Sequence, residues 1–159
     1  MHKPLTLALV AALAMGVATG ALALPPADTD TALAARLNDF IKTASVVPKA
    51  WHAETDPHSL DGICLSNDRG TLIEFLDAAA TARNLFRLSL RIKDPDDLKA
   101  VDVFFESALG NLKTDATAVD SMADAEPADC KALPFYAANP TLLRTLGLDA
   151  LAILGMLSR

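Results

Sequence analysis

His52, Glu54, Asp56 and His58 sit at every second position of one stretch, and each carries a side chain able to hold a metal ion. In an extended segment alternate side chains project to one side. Two imidazoles and two carboxylates suit zinc first, and copper or nickel second. Pro57 interrupts the alternation and the spacing matches no established metal motif, so the same residues also read as a solvated polar loop. Trp51, the single tryptophan, either anchors this loop on the core, where a large ring gains most from burial, or meets a protein partner as an interface hot spot. Arg83, Arg87 and Arg91 recur every four residues and form one basic stripe on a helix. That stripe either pairs with Asp96, Asp97, Asp102 or Glu106 on the next helix or docks an anionic partner through bidentate guanidinium contacts.

Glu106-Ser107 followed by Gly110-Asn111 resembles the acid-bearing segment of lytic transglycosylases. The resemblance implies a general acid at Glu106 acting on cell-wall glycan; the remainder of that family's pattern is missing. G-x-S-x-G, H-E-x-x-H, C-x-x-C and C-x-x-C-H are absent from the chain, which excludes the hydrolase, zinc-protease, redox and c-type haem signatures tied to them. No catalytic residue is assigned, and zinc at the His52–His58 stretch is the one cofactor the sequence suggests.

These groups need a compartment and a scaffold. Residues 1–23 read as an export signal: Lys3 supplies a positive start, Leu5 to Leu13 an apolar core, and Ala21-Leu22-Ala23 a small-residue cleavage site. Removing them leaves 136 residues with 13 basic and 20 acidic side chains, a net charge of −7. That length suits one domain, residues 24–159, with a real core. The acidic balance excludes nucleic acid as a partner, because phosphate binding needs a basic footprint, and favours a basic protein partner. No stretch after residue 23 is long and apolar enough to suggest a membrane span. In an oxidising periplasmic or extracellular space, the two cysteines, Cys64 and Cys130, read as one disulfide. Closing so long a loop stabilises by about 3–4 kcal/mol in the chain-entropy picture.

The periodicity predicts a helix over Thr31–Ala44, with Leu33, Leu37, Phe40, Ile41 and Ala44 on one face. Pro48, Pro57 and Gly62 punctuate Val46–Arg69 and Gly70 follows it; the stretch reads as a long loop, a length that in compact domains is often functional. A second helix is predicted over Thr71–Ile92. A third runs from the Asp94-Pro95 start signal to Ala123, with Gly110 and Asn111 weakening its middle, where a kink is expected. So short a turn makes these two antiparallel, bringing Cys64 and Cys130 to the same end independently of the compartment argument. A short element over Lys131–Ala138 leads to a last helix over Pro140–Leu157, capped at Asn139 and apolar nearly all round. Such a helix is expected at the centre of the bundle, with Gly147 and Gly155 permitting close approach.

The expected fold is therefore all-α: an antiparallel bundle of about four helices with one long loop and one disulfide. The expected function is an exported protein-binding module of the cell envelope (an inhibitor, an immunity-type protein or an accessory factor), using Trp51 and the arginine stripe. A metal or small-ligand binder built on His52, Glu54, Asp56 and His58 is the alternative, and a glycan enzyme the third.

Overall fold

The computed structural model describes residues 28–54 and 56–158; the export signal expected at residues 1–23 lies outside them. Seven helices form among the described residues, and none of these residues is in a strand. Four are the principal helices expected: α1 (Thr29–Ala44), α3 (Leu60–Ser89), α4 (Pro95–Ala125) and α7 (Leu142–Leu157). Three short ones, α2 (Val46–Ala53), α5 (Ala128–Lys131) and α6 (Pro134–Ala138), fill the connections.

The stretch expected to be a loop is mostly helical. Pro48 falls in the first turn of α2, where its missing N–H would have had little to bond, so it starts a helix instead of only ending one. The helix expected from Thr71 begins at Leu60, where the Ser59 hydroxyl accepts the Gly62 amide at 3.0 Å as a cap. Gly62 is a packing residue: a Cβ there would lie 2.6 Å from the Asp56 carbonyl oxygen. No described residue has positive φ, so this glycine answers a close approach and not a turn.

Asp94 caps α4 as its sequence suggested. Its carboxylate accepts the Asp96 and Asp97 amides, and Pro95 occupies the first turn. The helix runs unbroken through Gly110. Its apolar face is Leu98, Val101, Phe105, Ala108, Leu112, Val119 and Met122; all are buried except Leu98, near its start, which is half-buried.

The core closes between α3 and α4, between α4 and α7, and between α1 and α7. Phe40 of α1 meets Phe75 of α3 with ring centres 4.8 Å apart, and Phe86 of α3 meets Phe105 of α4 at 6.5 Å. Such aromatic pairs stabilise beyond their buried area alone.

α7 departs from expectation twice. It starts at Leu142 behind Thr141, because the Asn139 amide donates to the Phe135 carbonyl at 2.7 Å and does not cap the helix. It also lies on one side of the bundle: Leu143, Leu146, Ala150, Ile153 and Leu157 are buried, whereas Leu148 is 58% exposed and Leu151 38%. Gly147 provides the expected close approach, since a Cβ there would sit 2.7 Å from the Asp120 Cα; Gly155 faces open space. Arg36 of α1 bonds Asp149 of α7 at 2.6 Å.

Cys64 and Cys130 form the expected disulfide with Cα atoms 5.9 Å apart, within the usual range. It ties the start of α3 to the segment following α4, at the end of the hairpin away from its turn. Among the described residues, no helix is long and apolar enough to cross a membrane.

Candidate functional site

The four expected metal donors do not converge. His52 lies in the last turn of helical α2, not in an extended segment, and its ring stands edge-on to Trp51. Glu54 and Asp56 turn back on their own backbone: a Glu54 carboxylate oxygen accepts the Asp56 amide at 3.1 Å, and Asp56 accepts the His58 amide at 2.9 Å. Local carboxylate bonds of this kind shape turns. Among the described residues, the group of potential ligand atoms that does converge is Cys64, Glu126 and Cys130, within 4.8 Å of one another; both sulfurs are already joined in the disulfide.

Trp51 is half-buried against the core, with the Arg69 guanidinium 4.7 Å above its ring, a cation–π contact. Of the arginine stripe, two members pair with α1 and not with α4 as expected. Arg83 Nε bonds Asp30 at 2.7 Å, and Arg87 Nε lies 3.5 Å from the other oxygen of the same carboxylate. Asp30 stands in the first turn of α1, where the helix dipole also favours negative charge. Arg91 is exposed and makes no ion pair among the described residues. Glu106 is exposed on α4 and lines none of the cavities described below.

Beside the disulfide lies a group of residues that periodicity alone did not single out. Asp68 occupies the buried stripe of α3 between Cys64 and Leu72 and is only 3% exposed. The Tyr136 hydroxyl of α6 donates to its carboxylate at 2.7 Å, and the Glu126 carboxyl, at the end of α4, is close enough to interact with it. Burial pushes the Asp68 carboxyl above its ordinary value, against the two hydrogen bonds that favour its charged form. Burial, then the Asp68 charge, pushes Glu126 up to about 7, with Lys131 opposing. The Tyr136 hydroxyl is pushed up too, by burial and by its bond to Asp68. Tyrosine is thus held as a donor, and burial together with mutual repulsion favours the protonated form of Glu126 beside Asp68. A start at Leu60 would have exposed the signal: an acidic residue four positions from both Cys64 and Leu72, on the buried face.

The second feature is a continuous groove along the outer side of the α3–α4 seam. One part, of about 420 Å³, is walled by Glu74 and Asp77 of α3 and by Asp115 of α4. The other, of about 460 Å³, is walled by Leu85 and Leu88 of α3 and Phe104 of α4. Thr81, Ala108 and Asn111 line both parts. Leu88 is 45% exposed and Phe104 62%. Both parts are open along their length, unlike the enclosed clefts that bury small ligands.

No protein-family model matches the chain, nor does any curated protein or solved structure.

Proposed function

We propose that this protein is an exported, non-catalytic binding module that engages a protein partner of the cell envelope through the α3–α4 seam. The observation that carries the reading is the uncovered groove between the two longest helices, with Leu88 and Phe104 held in solvent at one end. Large apolar side chains exposed together on a rigid frame mark interaction sites. The frame is rigid because the disulfide fixes one end of the hairpin and the capped Asp94 turn fixes the other. A disulfide persists in oxidising spaces, which agrees with the export signal read at residues 1–23. The seam takes over the role first assigned to Trp51 and the arginine stripe. Trp51 already packs on the core and Arg69, and Arg83 and Arg87 already face Asp30.

Site-specific photocrosslinking tests the reading. A photoreactive residue is placed at Ser107 in the seam, and separately at Trp51 and at Arg91, and the protein is illuminated in an envelope fraction of its source cells. A saturable protein adduct supports a binding module, and its strongest yield is expected from Ser107. Absence of a protein adduct from all three positions refutes the function.

A further inference from the structure

The groove differs along its length in a way that specifies its occupant. At the hairpin-turn end its walls are Leu85, Leu88 and Phe104; towards the middle they are Glu74, Asp77 and Asp115. The side chains lining both parts include these three carboxylates and no lysine or arginine. Ala78, Thr81, Ser107 and Ala108 keep the floor low. On both helices the wall residues recur every three or four positions, the spacing of a face that receives another helix. A floor of short side chains lets a third backbone come close.

We infer that the seam receives a basic amphipathic helix of a partner protein, apolar at one end and carrying lysine or arginine at the other. This rests on the binding-module reading above and names the partner's chemistry. The length follows from the frame. Glu74 and Leu88 are 14 positions apart, about 21 Å at the helical rise, so the docked helix has about four turns. Apolar side chains from its first two turns enter between Leu88 and Phe104, while its cations face Glu74, Asp77 and Asp115. Helix-in-groove recognition works in this way: apolar anchors supply affinity and charges set the register.

A second copy of this chain fits the groove poorly. A two-fold axis perpendicular to the seam lays the carboxylates of one copy over Leu88 and Phe104 of the other. A two-fold axis along the seam sets carboxylates against carboxylates. The first desolvates unpaired charge and the second juxtaposes like charges. A partner with basic residues meets neither penalty.

The test uses a fluorescein-labelled, end-blocked 16-residue alanine-based peptide, with Phe and two Leu in its first two turns and three Lys in its last two, all on one face. Its control carries Glu in place of Lys. Fluorescence anisotropy with the intact, disulfide-bonded protein is expected to show saturable binding of the Lys peptide that weakens as salt is raised. Binding should fall about tenfold or more for the Glu peptide and for the Asp77→Lys/Asp115→Lys protein, and about tenfold for Phe104→Ala. Asp77 and Phe104 are exposed and Asp115 half-buried, and circular dichroism verifies that these variants keep the fold. Equal binding of both peptides, or unchanged binding by both variants, overturns the inference. A concentration-dependent dimer abolished by Phe104→Ala also overturns it, assigning the seam to a second copy. If photocrosslinks arise from Trp51 or Arg91 and not from Ser107, the binding module stands and this occupant falls.

Discussion

Replacing Glu126 by Gln should change how stability depends on pH, and the sign follows from the geometry. Glu126 abuts the buried Asp68 carboxylate, and its carboxyl is raised from 4.5 to about 7 in the folded protein. A raised acid favours folding while it holds its proton in both states, that is, below about pH 4.5. This contribution is lost as the pH climbs through 7, because the folded chain must then carry a second charge beside Asp68. A difference of that size corresponds to about 3 kcal/mol at full strength. Glu126 is only half-buried, and solvent screening brings the expectation to about 1 kcal/mol. Gln keeps an N–H that can donate to Asp68 but does not titrate. Urea unfolding of both proteins at pH 5 and pH 8, with the disulfide intact, cancels the titrating groups that do not interact with Glu126. The Gln variant should gain about 1 kcal/mol on wild type between the two pH values. A pH-independent difference, or a gain by wild type at pH 8, refutes the raised Glu126 carboxyl.

Other expectations follow from the same frame. Cys64→Ser/Cys130→Ser should lower the unfolding free energy by about 4 kcal/mol, the chain-entropy value for a bridge spanning 66 residues, measured by denaturant titration. Gly147→Ala should cost about 1–3 kcal/mol, because the new methyl meets the Asp120 backbone and α7 must move off α4; Gly155→Ala, facing open space, should be neutral or stabilising by thermal melting. Arg83→Ala should cost about 0.5–1 kcal/mol through the lost Asp30 pair, and Arg91→Ala less than about 0.5 kcal/mol.

The sequence disclosed the hairpin well and its flanks poorly, for physical reasons. α4 carries one uninterrupted apolar face and an Asp-Pro start, so propensity, capping and periodicity agree from Asp94 to Met122. The cysteine pairing followed from that hairpin. Val46–Arg69 misled because Pro48, Gly62 and Gly70 read as loop punctuation. Pro48 falls in a first turn, Gly62 allows close packing against Asp56 and Pro57, and Gly70 is accommodated with nothing crowding it. Tertiary contact overrode local propensity there. Missing the first eleven residues of α3 also hid Asp68, whose burial is evident only once the helix begins at Leu60. The metal stretch failed to converge because its spacing has meaning only in an extended chain, and His52 is on a helix. The groove was not legible at all: its walls are contributed by two helices whose relative rotation no single-helix pattern encodes.

The claim that the outer α3–α4 seam is the binding face is tested most directly by placing a spin label on the Lys peptide and recording methyl spectra of the intact protein. Methyl signals of Ala78, Leu85, Leu88 and Ala108 should broaden on binding, while those of Ile41, Leu148 and Leu151, exposed on α1 and α7, stay sharp. Broadening confined to Ile41, Leu148 and Leu151 would contradict the account.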